Sequence, residues 1–421
     1  MTKQYFYCYK PLYLLALILL FSCSNVSNSN NEFSITFPYT LNIKEVLDGS
    51  SPGQPPTLSQ IADSIEYVKL GLVDGKPLGQ IFNVRVTSNN IFLTTVNEPA
   101  LMFSRNGEFI TRLGKLGRGP AEYVSALDVV PIESKGVVAV KAYPLGDFPV
   151  YNYSGQMVKR LSRVEGSRNI EVLNGTKVYS EDMGFFTTKD GYMILSRDLN
   201  GDTVFFSKSH HDDFLNTDSW KRLQYYIITR ITPYNTDTVL VLENAVDTIF
   251  SFNGKELIPR YILDIGKYNG SYADRLTQPT KAIAEASTQY IFFFETQAHL
   301  FVQMLVRNKP WLVWLDKQTG LTQGKQYPVE FWPKSTNGIA RSDKTFLSND
   351  YDGGPDFYPR ATMSNRLGVS WYYAHELMEL ESPSSREATN SDAQRRLASM
   401  VENLTMEDNP VIMIVHYKGG E

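Results

Sequence analysis

The fold is most clearly predicted by residues 79–113, whose sequence is GQIFNVRVTSNNIFLTTVNEPALMFSRNGEFITRL. They contain four apolar, β-branched or aromatic runs, at residues 79–86, 90–96, 100–104 and 108–113. The breaks between these runs are Thr-Ser-Asn, Asn-Glu-Pro and Arg-Asn-Gly, whose residues favour tight turns. Four short strands in roughly 35 residues, each joined to the next by a turn, are typical of one blade of a β-propeller.

One turn motif of this segment recurs along the chain: two apolar residues, a short spacer and a turn that ends in Gly. The motif occurs at residues 102–107, 150–155 and 249–254. The glycines are spaced by about 50 residues and then by about twice that, so a degenerate copy is expected between them, and residues 204–208 supply it. A looser copy at residues 313–320 follows an insertion of helix-like composition at residues 272–289. We expect each copy to form the hairpin between the third and the outer strand of a blade, with the Gly at positive φ.

The length of this repeat predicts the number of blades. Residues 57–417, at about 50–60 residues per blade, allow six of them. The predicted fold is therefore all-β, a six-bladed β-propeller of four-stranded antiparallel blades with minor helical insertions. The sixth blade would use residues 337–342 and 366–373.

Two further elements are predicted near the C-terminus. Residues 391–404 place apolar side chains at helical spacing behind Ser391 as N-cap, which predicts a surface helix that packs one face on the propeller. Residues 411–417 form an uncharged apolar run without alternation, which predicts a strand buried on both faces. Since a propeller must join its first and last blades, we expect this strand to pair with residues 65–70.

The composition narrows the classes of function. The chain has 421 residues, with 41 Lys and Arg against 45 Asp and Glu and a formal net charge of −4, so no basic excess indicates nucleic-acid binding. The two cysteines, Cys8 and Cys23, are too few for a disulfide scaffold or a Cys-rich metal site. Aromatic residues make up 13% of the chain, which favours strands.

The N-terminus has the organisation of a secretory signal. Lys3 and Lys10 precede an apolar run at residues 12–21, and this run is too short to span a bilayer. Residues 20–23, Leu-Phe-Ser-Cys, resemble the bacterial lipobox, and this resemblance implies cleavage after residue 22 and lipidation of Cys23. The polar residues 24–31 would then form a flexible tether.

These features predict the organisation of the whole chain. We expect a lipoprotein signal peptide at residues 1–22, a tether at residues 23–35 and the propeller at residues 36–418. The partner implied by the N-terminus is the membrane, through the lipid anchor. No acidic residue follows Cys23 directly, which favours the periplasmic face of the outer membrane over the cell surface.

Four segments together resemble a known family. They are the lipobox ending at Cys23 and residues 113–123, 352–359 and 409–418. The second, LGKLGRGPAEY, is similar to a Gly-rich segment between blades, and the third, DGGPDFYP, is similar to an Asp-Gly-Gly loop that ends in aromatic-Pro. The chain thus resembles the six-bladed β-propeller lipoproteins of Bacteroides and its relatives, whose biochemical role is largely unassigned. The resemblance implies the fold and the anchor and says nothing of chemistry.

No segment carries a catalytic, metal or cofactor motif. Residues 114–119 are Gly-rich, but Pro120 follows where a phosphate cradle needs a helix, so we expect a turn between blades. Residues 209–213, Ser-His-His-Asp-Asp, are metal-like, yet adjacent residues of a turn cannot all converge on one ion. Acidic groups at residues 350–356 and 376–381 have no glycosidase motif around them. We therefore predict no catalytic residue, no metal site and no cofactor.

The candidate binding residues lie in one loop. They are Asp352, Gly353, Gly354, Asp356, Phe357 and Tyr358. Constrained loops with several aromatic residues on rigid scaffolds often carry binding, so this is a candidate ligand or partner surface. The interpretation that we favour is a structural plug or a connector between blades.

Two classes of function remain open. The first is a non-enzymatic, membrane-anchored binding or scaffold module of the cell envelope, with a protein or glycan ligand and no nucleic acid. The second is a polysaccharide-active enzyme, a glycosidase or lyase, on a propeller scaffold. Carboxylates or His residues that converge at one mouth of the central channel would favour the enzyme, whereas scattered charges and aromatic residues would favour binding.

Overall fold

The structure, a computed structural model, describes eleven parts of the chain. These are residues 34–143, 148–161, 167–173, 176–183, 192–197, 202–208, 227–243, 246–269, 288–328, 347–380 and 382–419. Several sequence predictions lie outside the described residues. They are the signal peptide with Cys23, most of the tether, residues 209–213, residues 272–287 of the insertion and residues 337–342.

Twenty-seven strands make up most of the described residues. The first fourteen are β1 (Tyr39–Leu41), β2 (Ala62–Lys69), β3 (Ile81–Val86), β4 (Asn90–Thr95), β5 (Ala100–Ser104), β6 (Phe109–Leu113), β7 (Lys115–Leu116), β8 (Glu122–Tyr123), β9 (Ser125–Ile132), β10 (Val137–Tyr143), β11 (Phe148–Asn152), β12 (Met157–Leu161), β13 (Ser167–Leu173) and β14 (Thr176–Met183). The others are β15 (Tyr192–Arg197), β16 (Thr203–Lys208), β17 (Ile227–Asn235), β18 (Thr238–Glu243), β19 (Thr248–Phe252), β20 (Leu257–Leu263), β21 (Thr288–Glu295), β22 (His299–Val306), β23 (Lys309–Asp316), β24 (Thr322–Gln326), β25 (Ala361–Ser364), β26 (Leu367–Tyr372) and β27 (Val411–Tyr417).

The described helices are few and short. The α-helices are α1 (Ile43–Leu47), α2 (Leu58–Ile61), α3 (Ala374–Met378) and α4 (Ser391–Glu402). Single 3-10 turns lie at Glu133–Lys135, Gly266–Tyr268 and Pro383–Ser385. No helix of the described residues is both long enough and apolar enough to cross a membrane.

The strands form a propeller-like ring of small antiparallel sheets. Four sheets have four strands each, in the orders β3-β4-β5-β6, β12-β11-β10-β9, β21-β22-β23-β24 and β2-β27-β26-β25. A fifth sheet has nine strands, in the order β1-β20-β19-β18-β17-β14-β15-β16 with β13 paired to β14. We call β3, β9, β13, β17, β21 and β25 the first strands, because each begins a group of antiparallel neighbours along the chain. They contact one another: β9 contacts β3 and β13, β25 contacts β3 and β17, and β17 contacts β21. These first strands therefore face the centre of the ring.

The prediction that residues 79–113 form one sheet is confirmed. Its four predicted strands are β3 to β6, each antiparallel to the next. The turn motifs at residues 102–107, 150–155 and 249–254 join β5 to β6, β11 to β12 and β19 to β20, as expected. The copy at residues 313–320 joins β23 to β24. The degenerate copy at residues 204–208 corrects the expectation: it lies within β16, the last described strand of its sheet order, and not in the turn between a third and an outer strand.

Two of the turn glycines are required by both conformation and space. Gly107 and Gly155 have φ of 89° and 79°, a region that other residues rarely adopt. A Cβ atom on Gly107 would lie 2.2 Å from the backbone oxygen of Lys69, and one on Gly155 would lie 2.3 Å from that of Arg112. Each hairpin therefore packs directly on the end of an outer strand of the preceding sheet.

The two ends of the propeller meet in one sheet, as predicted. β2 pairs antiparallel with β27, and Ile65 lies opposite Val415. The even-numbered side chains Ile412 and Ile414 join the apolar cluster that β27 shares with β3. The odd-numbered ones, such as Met413 and Val415, join the cluster that it shares with β22 and β23. Because the strand is buried between two sheets, its sequence shows no polar alternation.

The predicted surface helix is α4, with one correction. Asn390, not Ser391, is the N-cap, because its Oδ1 accepts a hydrogen bond from the backbone N of Ala393 at 3.0 Å. Ser391 is already helical, so it cannot take the extended backbone that a cap requires. Leu397 is buried, and Met400 packs against the cluster beneath. The prediction that one apolar face packs on the ring is confirmed.

The closing strand gives a first testable prediction. Ile414 is fully buried, so Ile414→Ala should lower the free energy of unfolding by about 2–5 kcal/mol. Met406, which is 70% exposed in the preceding loop, provides the control, and Met406→Ala should change it by less than about 0.5 kcal/mol. Urea denaturation followed by tryptophan fluorescence measures both. Equal midpoints for the two variants would show that β27 does not close the ring.

Candidate functional site

The first strands of the ring enclose a cavity of about 300 Å³. Its lining comes from β3, β9, β10, β13, β17 and β21 and from the start of β25. The lining residues are Asn83, Arg85, Leu127, Asp128, Val130, Lys141, Glu171, Thr229, Arg230, Ile231, Thr232, Pro233, Phe292, Phe293, Arg360, Ala361 and Thr362. A volume of this size lies at the lower end of the range for small-molecule sites.

Three charged side chains from three strands meet in the cavity. Arg85 on β3 donates from Nη2 to Oδ2 of Asp128 on β9 at 3.1 Å and to Oε1 of Glu171 on β13 at 2.9 Å. Its Nε also faces Oδ1 of Asp128 at 3.4 Å, so the two groups form a forked pair. Alternation along β3 explains the position, because Val84 and Val86 on either side point into the apolar cluster. The three side chains are 15–18% exposed.

Burial and charge shift the titration of this cluster in defined directions. Burial alone lowers the pKa of Arg85, but the charges of Asp128 and Glu171 outweigh it, and the pKa lies above its ordinary value. Burial also raises the pKa of Glu171, and the opposing charge of Arg85 reduces this rise without cancelling it. Glu171 is therefore a carboxyl that takes up a proton more readily than usual.

Three further cations line the same cavity: Lys141, Arg230 and Arg360. Arg230 donates from Nε to the backbone oxygen of Tyr290 at 3.2 Å. The guanidinium of Arg360 lies over the ring of Trp371, 5.1 Å from its centroid. The described lining residues thus include four cations and two carboxylates.

The cavity lies between two more open ones along the same strands. A groove of about 380 Å³ on one side contains Ile81, Arg360, Trp371, Tyr373 and His375. A cavity of about 560 Å³ on the other side is lined by the end of β3, by Ser364 and by His416. Along β3, Ile81 lines the groove, Arg85 lines the central cavity and Val86 lines the opposite cavity, so the three spaces follow one another along the strand. Arg360 lines both the groove and the centre.

The opposite cavity holds a second charged cluster. Glu66 on β2 contacts Nε2 of His416 at 2.5 Å and Nη2 of Arg105 at 2.9 Å. Arg105 belongs to the turn between β5 and β6, so this cluster joins the closing sheet to its neighbour. Nearby, Ser88 donates to Glu133 at 2.8 Å. These contacts explain the cluster as a link between sheets.

The predicted binding loop lies beneath α4 and not in the cavity. Asp352 is 1% exposed, and its Oδ1 accepts hydrogen bonds from Asn349 Nδ2 at 2.7 Å and from the backbone N of Gly354 at 3.0 Å. Burial raises the pKa of Asp352 in spite of these bonds. Gly353, with φ of 71°, and Gly354 are buried as well. This half of the loop has the environment of a connector.

In the other half of the loop, residues 356–358, one side chain contacts a residue that lines the cavity. Phe357 is fully buried and forms a bridge with Leu347. Asp356 lies 3.7 Å from Arg386 at the surface. The ring of Tyr358 lies 5.8 Å from that of Phe292, which lines the cavity. A role for these loop residues in binding stays a prediction.

The Gly-rich segment at residues 114–119 is a connection between sheets, as expected. β7 and β8 pair in parallel within it, and Glu122 accepts a hydrogen bond from the backbone N of Gly119 at 2.8 Å. Of the acidic groups, Asp350 accepts from Ser59 and Thr57 and fixes the start of α2. Glu376 accepts from the backbone N of Tyr373 and caps α3.

The central residues are those that the sequence analysis missed. None of them belongs to a loop motif or a cluster of like residues: Arg85 and Asp128 are the single charges of β3 and β9, and Glu171 lies between Ile170 and Val172 on β13. The available signal was positional: a lone charge in the first strand of a blade should face the centre of a propeller. Converging carboxylates are also the feature that would favour the enzyme over the binding protein.

The charged cluster gives a second prediction. Arg85→Met removes the cation that pairs with both carboxylates, so the free energy of unfolding at pH 8 should fall by about 3–5 kcal/mol. Without this cation, burial would raise the pKa of Glu171 further in the folded state. The folded chain would hold protons that the unfolded chain releases, so the variant should lose stability as pH rises and recover part of it at pH 5. Urea denaturation at both values tests this.

The control for that experiment is Arg395→Met, since the Arg395 side chain is 75% exposed on α4. It should match the wild type at both pH values. If Arg85→Met were as stable as this control at pH 8, or lost the same free energy at both pH values, the charges at the centre would not be coupled as described.

Comparison with known proteins agrees with this fold. Among solved structures, a protein of Bacteroides fragilis NCTC 9343 described as exported has a TM-score of 0.61 at 14% identity and covers 88% of this chain and 98% of its own. A member of the DUF4221 family from Bacteroides vulgatus ATCC 8482 has a TM-score of 0.41 at 10% identity and covers 64% of this chain and 87% of its own. At such identities the first likeness shows a shared fold alone. No curated protein matches the sequence.

A family model extends this agreement to the sequence. It is described as a domain of unknown function, DUF4934, and it matches residues 38–416. The match runs from the residue before β1 to the last residues of β27, and so includes the whole ring with its closing strand. The chain therefore belongs to the DUF4934 family, whose function is unassigned.

Proposed function

We propose that this chain is a lipid-anchored binding protein of the cell envelope and that its central cavity holds a small polar ligand without chemical change. The observation that carries the proposal is the cavity itself. About 300 Å³ is enclosed by the first strands of the ring and lined by charged side chains. Concave, largely pre-formed sites with a few convergent polar groups are the ones that small ligands use.

The proposal includes six blades. Within the nine-stranded sheet, β13 to β16 and β17 to β20 each follow one another as antiparallel neighbours. The two groups are joined by two residue pairs, Asp182 with Ile228 and Met183 with Ile227. Because two residue pairs make up this junction, we interpret the two groups as separate blades that contact each other at one end. With the four separate sheets this makes six blades, which agrees with six first strands around one cavity.

The anchor rests on the N-terminal sequence. The apolar run and the Leu-Phe-Ser-Cys motif ending at Cys23 support export and lipidation. The structural neighbour from Bacteroides fragilis is itself described as exported, which supports an envelope location. A single lipid-modified residue with its acyl chains would hold the ring at the membrane through the polar tether.

An enzyme that acts on polysaccharide is the second candidate, and one observation favours it. Asp128 and Glu171 converge on Arg85, and burial raises the pKa of Glu171, as a general acid requires. Against this, both carboxylates are engaged with the same guanidinium, which holds them in fixed ion pairs. Binding therefore explains the arrangement with fewer assumptions.

The anchor gives the third prediction. In a Gram-negative host that processes lipoproteins, the wild type should incorporate an alkyne fatty acid and sediment with membranes. Cys23→Ala should lose both properties. Cys8→Ala, which lies in the cleaved part, should lose neither. Equal labelling of wild type and Cys23→Ala would contradict the anchor and leave the proposal for the cavity standing.

The cavity gives the fourth prediction. Full-length protein in detergent is incubated with fractionated envelope glycans and metabolites, and retained molecules are released and measured by mass spectrometry. The wild type should retain at least one compound in unchanged form. Asn83→Phe places a larger side chain in the cavity and should retain less than about a tenth as much, because its ring would overlap a ligand that occupies the cavity.

The control is Ile110→Phe, which enlarges a side chain that is 45% exposed on the outer strand β6. It should retain as much as the wild type. Equal retention by wild type and Asn83→Phe would contradict binding in the cavity. A compound that is returned cleaved, with cleavage lost in Glu171→Gln, would favour the enzyme instead.

A further inference from the structure

The first residues that the structure describes contact the ring on the side of the opposite cavity. The ring of Phe37 lies over Arg260, with 4.1 Å between its centroid and the guanidinium carbon. Arg260 donates from Nη2 to the hydroxyl of Tyr234 at 3.1 Å, and the backbone oxygen of Tyr234 accepts from the backbone N of Asn365 at 2.7 Å. Asn365 belongs to the turn between β25 and β26 and follows Ser364, which lines the opposite cavity.

The ring therefore has two distinct faces. We call the surface around Phe37, Asn365 and the opposite cavity the tether face, because the N-terminal segment joins the ring there. We call the surface around Tyr373 and His375 the groove face. Since the groove and the opposite cavity lie at the two ends of β3, these faces lie at opposite ends of the ring.

An apolar patch surrounds the point where the N-terminal segment joins the ring. It consists of three large side chains that are between 41% and 57% exposed, Phe37, Ile258 and Leu321. Ile258 lies on β20, two residues before the Arg260 that Phe37 covers. Leu321 follows Gly320, whose backbone oxygen accepts a hydrogen bond from the hydroxyl of Tyr39 at 2.8 Å. Exposed apolar patches of this kind often mark contact with a membrane or with another protein.

The length of the tether favours the membrane as the partner. Cys23 precedes Ser34, the first residue that the structure describes, by eleven positions. An extended chain of this length spans at most about 40 Å. A lipid on Cys23 would keep the apolar patch within this distance of the bilayer. Tethering makes contact with the bilayer intramolecular and raises its effective concentration, so a weak apolar contact is sufficient.

We infer that the apolar patch contacts the lipid bilayer and that the tether face lies against the membrane. This inference rests on the lipid anchor of the proposed function and adds the surface and the orientation. Phe, Leu and Ile side chains enter the boundary between head groups and acyl chains, where their apolar area leaves water. The groove face, with Tyr373 and His375, then opens away from the membrane. A polar ligand would reach the central cavity from that side.

The experiment places one tryptophan on each face. The full chain is produced in a host that processes lipoproteins, purified in detergent and reconstituted into vesicles of phosphatidylethanolamine and phosphatidylglycerol. Half of the preparations contain lipids with brominated acyl chains, which quench tryptophans in contact with them. Phe37→Trp reports on the tether face, and Met378→Trp, on α3 close to His375, reports on the groove face. Both native side chains are 41% exposed, so the two probes are matched.

The expected result is selective quenching. After subtraction of the signal of the five native tryptophans, the added fluorescence of Phe37→Trp should fall by at least about half, because the patch enters the lipid boundary. That of Met378→Trp should fall by less than about a tenth, because the groove face stays in water.

A charge in the apolar patch provides a second measurement. Ile258→Asp, combined with Phe37→Trp, should reduce the quenching at least about twofold, because a carboxylate is costly to move into lipid. Ile110→Asp changes a similarly exposed isoleucine on β6 and should leave the quenching unchanged. A melting temperature for each variant shows whether the ring is intact.

Each outcome decides the inference. Quenching that is selective for Phe37→Trp and reduced by Ile258→Asp supports it. Equal quenching of the two probes, or stronger quenching of Met378→Trp, would overturn the orientation while the anchor stands. Quenching that Ile258→Asp leaves unchanged would overturn the apolar patch as the contact. Protein that does not sediment with the vesicles would contradict the anchor itself, and the inference would fall with it. Binding in the cavity is tested separately by Asn83→Phe.

Discussion

The pairing of β27 with β2 is the contact that closes the ring. It joins residues from the two ends of the chain, such as Tyr67 and Met413, in one antiparallel ladder. Without it the ring would end in two open strand edges, which invite aggregation. The strand also separates two apolar clusters, one shared with β3 and one shared with β22 and β23, and contributes alternate side chains to each. Ring closure and core formation are therefore one event.

Ion pairs between sheets complement these apolar contacts. Glu295 on β21 is fully buried, and it accepts from Arg260 on β20 at 2.7 Å and from Lys317 at 2.5 Å. Burial alone would raise the pKa of Glu295, but the two cations hold it below its ordinary value. Arg260 in turn lies beneath the ring of Phe37, 4.1 Å from its centroid, so the N-terminal segment is fixed to the same cluster. A buried charge is tolerated here because it is fully paired.

The sequence was sufficient for the fold wherever structure is local. Apolar runs and turns predicted β3 to β6, and the Gly107 and Gly155 turns were found because positive φ leaves a visible residue preference. The closing strand was found because burial on both faces removes polar alternation. The helix cap was misplaced by one residue because Asn390 and Ser391 both suit that position. The charged centre could not be found in this way, since Arg85 and Glu171 lie 86 positions apart and meet only when the ring closes.

The composition of the centre is itself an argument about function. Replacing a buried ion cluster by apolar side chains of similar volume is often neutral or stabilising, because desolvation costs about as much as the ions gain from one another. The ring is already held by apolar clusters between its sheets, so stability alone does not require charges on the first strands. On β3 itself, Val84 points into the apolar cluster between two sheets, so this strand already supplies apolar side chains to the core. Arg85, Arg230 and Arg360 instead keep the centre polar and open. The proposed binding function accounts for these charges, because a polar ligand in the centre would need polar groups around it.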